Sequence, residues 1–322
     1  MDYIDFLSYM KTSLQKIMGD NTRVELHKIL KNNSLALDCL TILPEGQNIT
    51  PSIYLNDYYD EYMAGSSLPY IVSEVLSIYE THKVSFKFQP ERFLKFENIQ
   101  SSIAFRLINY ESNRELLNGI PHKRFLDLAI VYYLILHSDG LGDATALIHN
   151  DHLKLWGIGE DTLYRIAAAN TPAKLGYELK TMDEVMREML MKDLNDNVSL
   201  NEYRLSVTDS ELDSFASLMM EHLHGSQEGR PTMYVLTNKN RCYGASCMLY
   251  PGLMYKFAEE HGDFYLLPSS IHEVILIPRD DVISHEDLCS MVREINENDV
   301  DITERLSDHV YFYSCSENAL LM

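Results

Sequence analysis

Between Met233 and Pro278 the chain reads MYVLTNKNRCYGASCMLYPGLMYKFAEEHGDFYLLPSSIHEVILIP, a series of short apolar runs separated by polar turns. Runs of four to seven residues cannot bury themselves as helices. They need strand neighbours, and turn residues this close together bring those neighbours from the adjacent run. The expected order is strand (Met233–Leu236), a turn at Thr237-Asn238-Lys239-Asn240, strand (Tyr243–Leu249), helix (Leu253–Glu260) and two further strands joined through Pro268–Glu273. Helices interspersed with hairpin-linked strands give an α+β protein with mixed, largely antiparallel sheets and flanking helices.

The rest of the chain agrees with this class. Ile4, Leu7, Met10, Leu14 and Ile17 recur at helical spacing and Gly19 follows as a stop. RVELHKIL and SLALDCLTIL flank Lys31-Asn32-Asn33 and predict a hairpin. PSIYLNDYYDEYMAG places Tyr54, Leu55, Tyr58, Tyr59, Tyr62 and Met63 on one broad helical face that Gly65 ends, and Leu68–Tyr79 predicts a second helix. This tyrosine stripe suits core packing with the hydroxyls at the surface. SIAFRLINY predicts a strand, Gly119-Ile120-Pro121 a break, and FLDLAIVYYLIL a buried central strand, with a buried helix the alternative its length leaves open. Ala144–Trp156 and Asp161–Ala169 predict two helices that meet at Gly157-Ile158-Gly159.

Polar and acidic residues between Lys192 and Asn201 set a domain boundary, giving an N-terminal α+β domain, 1–200, and a C-terminal one, 201–322. Beyond it, helices are expected over Asp209–His224 and His285–Asn296, and a final strand over Val310–Tyr313.

Charge narrows the partners. With 27 Lys and Arg against 48 Asp and Glu, the net charge of -21 repels phosphate backbones and anionic lipid, so neither nucleic acid nor a membrane surface is the expected partner, which leaves open a basic partner, such as a protein, or a cation. Residues 83–124 run against this trend, and Arg106, Arg114, Lys123 and Arg124 there could face an anion or the chain's own acids. The cysteines Cys39, Cys242, Cys247, Cys289 and Cys315 show no disulfide spacing, and an acidic N-terminus does not resemble a signal peptide. Reduced thiols and a cytoplasmic setting are expected.

The candidate chemistry gathers at Pro268-Ser269-Ser270-Ile271-His272-Glu273. A hydroxyl, an imidazole and a carboxylate are the side chains of an acyl-transfer triad, so Ser269, Ser270, His272 and Glu273 are the catalytic candidates. Asn238, Gly244 and Arg279 are the binding candidates beside them. Against a relay, neighbouring residues of a strand point to opposite faces, and no G-x-S-x-G elbow occurs. Serines in such turns commonly cap backbone groups. Gly244, inside an apolar run, suggests a close approach by another backbone or a ligand.

His149 and His152, three apart on an expected helix, are the candidate metal ligands, but a third ligand is not near them in sequence. His222, His224, His285, Glu286, Asp287 and the pair Cys242 and Cys247 form weaker fragments. No zinc, EF-hand or P-loop pattern occurs, Gly140-Leu141-Gly142 is too short for phosphate binding, and no cofactor is expected.

IYLNDYYDEYMAG, MYVLTN followed by YGASCMLY, LPSSIHEVILIP and LSDHVYFYSCSEN, taken in that order, resemble an uncharacterised bacterial family known as domain-of-unknown-function family 5688, familiar from gut Firmicutes. The N-terminal half also looks like a second uncharacterised family of cytosolic bacterial proteins. Neither resemblance implies an activity. The leading expectation is therefore a cytoplasmic binding or regulatory protein without catalysis. The alternatives are a hydrolase or transferase at residues 268–273 and a metal-binding protein through His149 and His152.

Overall fold

The computed structural model describes residues 1–48, 50–83, 90–138, 142–200, 232–268, 270–280 and 284–322. The expected helix over Asp209–His224, the histidines His222 and His224, and Ser269 lie outside the described residues, as do Gly140 and Leu141. The chain is α+β, with helices set against antiparallel ladders.

Two compact units divide it. The first comprises Met1–Ala104, Ser112–Pro121 and Tyr132–Ile166; the second comprises Phe105–Glu111, His122–Val131 and Ala167–Met322.

In the first unit, Asp2 opens helix α1 (Tyr3–Met18) by accepting the Asp5 N–H at 2.9 Å, and Gly19 closes it at φ 76°, where a Cβ would be strained. Phe6, Met10 and Leu14 form the buried stripe, while Ile4 and Ile17, expected beside them, are 77% and 58% exposed. Ile4 lies about a third of a turn off the stripe and Ile17 falls in the last turn.

The expected hairpin forms from β1 (Thr22–Leu30) and β2 (Ala36–Pro44), in register from Thr22↔Pro44 to Leu30↔Ala36. Its turn places Asn33 and Ser34 at φ 57° and 58°, and Asn33 exchanges side-chain and backbone hydrogen bonds with Asn113. Strand β3 (Ser52–Tyr54) adds to β2, so the tyrosine-rich helix starts later than its pattern suggests, as α2 (Asn56–Met63). Helix α3 (Leu68–His82) completes the core, in which Val24, Leu40, Ile42, Ile53, Leu55, Ile71 and Val75 meet the α1 stripe. Each such burial contributes roughly 1.5–3 kcal/mol relative to exposure. Tyr58, Tyr59 and Tyr62 pack partly buried against this core, with Phe6 stacked on Tyr62 at 5.9 Å.

Helix α4 (Phe96–Ile99), strand β4 (Ile103–Asn109) and helix α5 (Arg114–Leu117) lead to β5 (His122–Phe125) and β6 (Leu128–Ser138), whose residues Leu128–Ile135 are buried as a central strand requires. A four-stranded sheet has the order β4-β6-β5, with β7 (Gly142–Leu147) also pairing β6. The helix expected from Ala144 therefore begins only at α6 (Asn150–Trp156). Ala144–Leu147 instead meet Leu136–Tyr133 across an antiparallel ladder, which satisfies their backbone groups as strand. Gly157 ends α6 in left-handed backbone at φ 65°, and α7 (Glu160–Leu175) follows.

The second unit is built on a six-stranded sheet, order β13-β12-β10-β11-β9-β8, formed by β8 (Glu178–Thr181), β9 (Tyr234–Thr237), β10 (Phe264–Leu267), β11 (Glu273–Pro278), β12 (Tyr311–Ser314) and β13 (Ala319–Leu321). Helices α8 (Met182–Leu200), α9 (Leu253–His261) and α10 (His285–Asn298) accompany it, and Leu288 and Val292 of α10 pack with Leu267, Ile277 and Val310. The strand expected over Tyr243–Leu249 is instead a 3-10 turn, Gly244–Leu249. Tyr243 stands at φ 58°, outside strand geometry, so Thr237–Asn240 does not join two paired strands as predicted; β9 pairs β11 and β8 instead.

No helix among the described residues is long and apolar enough to cross a membrane, and no disulfide joins the described cysteines.

Candidate functional site

The site grows out of strand alternation. In the ladders β8–β9 and β9–β11, Glu178 and Glu273 both pair with Thr237, while Lys180 and Ile275 both pair with Val235. Because strand residues two apart share a face, Glu178, Lys180, Val235, Thr237, Glu273 and Ile275 form two rows on one side of the sheet. Leu236, Val274 and Leu276 take the other side and are buried.

The chain then covers that face. Thr181 and Glu184 form a capping box: the Glu184 carboxylate accepts the Thr181 N–H at 2.7 Å, and the Thr181 hydroxyl accepts the Glu184 N–H at 3.2 Å. This turns β8 directly into α8, which lies back against β8 and β9. Met182, Val185 and Met189, at helical spacing, line the space beneath it. The result is a cavity of about 330 Å³ with Val235, Ile275 and the three α8 side chains as its apolar wall, and Glu178, Lys180, Thr237, Arg241 and Glu273 as its polar groups. A volume of this order falls at the small end of ligand pockets. Larger depressions of about 710 Å³ and 600 Å³ lie around Gln15 and Asp20 in the first unit, but Asp20 is exposed and the Gln15 amide is engaged with the Gly19 and Thr22 carbonyls.

Within the cleft, charge is unequally matched. Lys180 Nζ lies 2.6 Å from Glu188 and 3.5 Å from Glu178; Arg241 Nη2 lies 2.8 Å from Glu188 and 3.5 Å from Glu178. These bonds hold the Glu188 carboxyl below, and the Lys180 ammonium above, their ordinary ranges. Arg241 reaches them from backbone at φ 52°, two residues before Tyr243 at φ 58°, so two non-glycine residues in left-handed conformation shape this one loop. Glu273 is different. Burial pushes its carboxyl above the usual range, with the nearby His272 and a Ser270 hydrogen bond acting in the opposite direction. Among the described residues no Lys or Arg forms an ion pair with it.

The sequence candidates resolve into separate roles. Ser270 is buried and its hydroxyl accepts the His272 N–H at 2.9 Å, closing the turn. His272 Nδ1 accepts the Tyr243 N–H at 3.3 Å, which places the proton of a neutral ring on Nε2, 3.5 Å from Glu304. The ring stacks on Tyr243 at 5.8 Å, and Tyr243 also carries the Arg106 guanidinium at 4.3 Å. Ser270, His272 and Glu273 are therefore neighbours whose described hydrogen bonds do not link them in a proton relay. Asn238 is buried and ties its own loop, donating to the Cys242 carbonyl at 2.7 Å and accepting the Asn240 N–H at 3.0 Å. Gly244 packs where a Cβ would stand 2.4 Å from the His272 carbonyl oxygen and 2.6 Å from the Asn238 nitrogen, the close backbone approach its position suggests. Arg279, past the far end of β11, faces Asp263 at 4.0 Å and the Phe312 ring at 5.7 Å.

His149 and His152 are engaged in starting α6. His152 Nδ1 accepts the His149 N–H at 2.9 Å, and its ring stacks on Trp156 at 5.3 Å. Burial, then His149, pushes the His152 ring below the ordinary range. Among the described residues no group of three or more His, Cys, Asp or Glu side chains is gathered for a metal. Of the basic segment, Arg124 covers the Tyr110 ring at 4.6 Å.

A second polar cluster carries no signal in the sequence. Asp127 Oδ2 accepts from the Ser307 hydroxyl at 2.6 Å and faces His309 Nδ1 at 3.1 Å, while Tyr311 donates to its Oδ1 at 2.5 Å. These partners lie 180–184 residues further along the chain. Burial, then the Asp127 charge, raises the Tyr311 hydroxyl far above its usual range and keeps it a donor.

A model described as a family of unknown function (DUF5688) matches residues 3–315, and the chain belongs to that family. No curated protein and no solved structure matches it.

Proposed function

We propose that this member of a family of unknown function is a binding protein without catalysis, and that its ligand site is the cleft between α8 and the β8–β9–β11 face. One observation carries the reading: a cavity of about 330 Å³ combines an apolar wall with a carboxyl, Glu273, that no Lys or Arg among the described residues pairs with. A buried carboxyl ordinarily pairs with a cation, so one that lines a cavity with the Ser270 hydroxyl as its hydrogen-bond partner is suited to a ligand. Supporting the absence of catalysis, Ser270 and His272 engage backbone groups and Glu304, and Cys247, whose thiol burial pushes up to about 12, is held neutral and inert. The net charge of -21 supports a ligand that is neither nucleic acid nor an anionic surface.

The test uses protein labelled with ¹³C at the methionine methyls, titrated with 1-hexanol and followed by NMR. Met182 and Met189, assigned through their Leu variants, are expected to shift saturably while Met10, in the first unit's core, does not. Val235→Trp, which fills the cavity, should abolish the shifts. Absence of any saturable change at both methyls sinks the reading. In parallel, Ser270→Ala is expected to lower thermal stability, in keeping with a turn-closing hydroxyl.

A further inference from the structure

We infer that the cleft takes a small primary amine, an alkylammonium ion whose charged head pairs with the Glu273 carboxylate and whose chain lies along Met182, Val185, Val235 and Ile275. The inference rests on the cleft being the ligand site and adds the chemistry of the ligand. It follows from a balance of charges. Lys180 and Arg241 are each shared between Glu178 and Glu188 at 2.6–3.5 Å, so two cations and two carboxylates neutralise one another at the cavity wall. An anionic ligand would have to displace one of those carboxylates from a made ion pair.

Glu273 is the acid left over. The other charged groups acting on it are His272, which is 3.5 Å from Glu304 and directed to that partner, and Glu304 itself, whose charge repels. Its hydrogen-bond partner is the Ser270 hydroxyl, a neutral group. A carboxylate half-buried beside apolar side chains is destabilised by desolvation, and an ammonium at contact distance reverses that by ion pairing and charge-assisted hydrogen bonds. A chain with a polar head at only one end also matches the placement of the groups. Glu273 shares its row with Thr237 and Glu178, whereas Val235 and Ile275 occupy the next row along the same face, towards Met182, together with Lys180, whose ammonium is drawn to Glu178 and Glu188. A neutral alcohol would gain the apolar wall without the ion pair.

Three six-carbon probes separate the possibilities: hexylammonium, 1-hexanol and hexanoate, each titrated at pH 8 and followed at the Met182 and Met189 methyls. Wild-type protein is expected to bind hexylammonium about ten- to a hundredfold more tightly than hexanol, the value of a charge-assisted contact. Hexanoate should bind weakest. Glu273→Gln, with folding verified by its thermal transition, should bring hexylammonium down to the level of hexanol. Equal binding of amine and alcohol by the wild type, a preference for hexanoate, or an amine preference retained in Glu273→Gln overturns the inference but leaves the cleft as a site. If none of the probes moves either methyl, the cleft reading itself fails and the inference falls with it.

Discussion

Gly244→Ala is the substitution whose consequence follows most directly from distances. The added Cβ would stand 2.1 Å from Thr237 Oγ1, 2.4 Å from the His272 carbonyl oxygen and 2.6 Å from the Asn238 nitrogen. Real Cβ contacts begin near 3.0 Å, so the His272 carbonyl must retreat from 2.4 Å to at least that distance, a displacement of about 0.6 Å. Two of the three atoms are backbone, and rotation of a side chain cannot relieve them. The third, Thr237 Oγ1, donates to the His272 carbonyl at 2.7 Å, and opening the gap stretches that bond. Overpacking of this kind costs about 1–3 kcal/mol and the weakened hydrogen bond about 1 kcal/mol, so a loss of about 3 kcal/mol is expected. For a domain of roughly 150–250 residues that corresponds to a fall of about 6–12 °C in the transition of the second unit. Differential scanning calorimetry of wild type and variant measures it, with hydrogen exchange at the Ala245 and Tyr243 amides locating it. A shift below about 2 °C would refute the contact geometry, because no arrangement that keeps those three atoms in place admits the methyl.

Other expectations follow from the same structure. Asp127→Asn should cost about 2–4 kcal/mol in urea unfolding, since it replaces the charged acceptor of Ser307, His309 and Tyr311, and Tyr311→Phe about 1–2 kcal/mol; a loss under 0.5 kcal/mol for both contradicts the cluster. Glu273 is held above its ordinary range, so its proton stabilises the folded chain at low pH and that stability is lost as pH rises through the raised value. Wild type and Glu273→Gln should therefore match near pH 4, with the variant the more stable at pH 8; the opposite trend in thermal melts would reverse the sign assigned to burial. Thiol titration of native protein should label Cys242 and Cys315 first and Cys289 more slowly, and Cys39 and Cys247 only on unfolding, so early mass-tagging of Cys247 would place it elsewhere.

Local signals in the sequence were strong where local physics decides the outcome. The hairpin around Lys31-Asn32-Asn33 was legible because two apolar runs flank residues that tolerate left-handed backbone, and Asn33 adopts it. The central strand Leu128–Ser138 was legible from its unbroken apolar content. Tyr243–Leu249 has the composition of a strand but does not form one, because the fold sets Tyr243 at φ 58° and lodges Gly244 against two other segments. Of the cleft's lining, Glu273 could be picked out, since it lies at the edge of a turn, whereas Asn238 and Gly244 shape the loop beside the cleft without lining it. Glu178, Lys180 and Arg241 could not, because their convergence depends on the registers of three strands and on the course of α8. The only local hint was the T-x-x-E box at Thr181, which marks where α8 turns back.

The Asp127 cluster also sets an order of events during synthesis. Its acceptor oxygens emerge with Asp127, and their nearest donor, Ser307, follows 180 residues later, which at 5–20 residues per second means about 10–40 s without it. Strand β5 and the turn after it thus belong to a unit that cannot close until β12 is made. Ribosome-bound chains stopped before Ser307 should accordingly be protease-sensitive around Asp127, with protection appearing in chains that carry Tyr311 clear of the exit tunnel on an added C-terminal spacer.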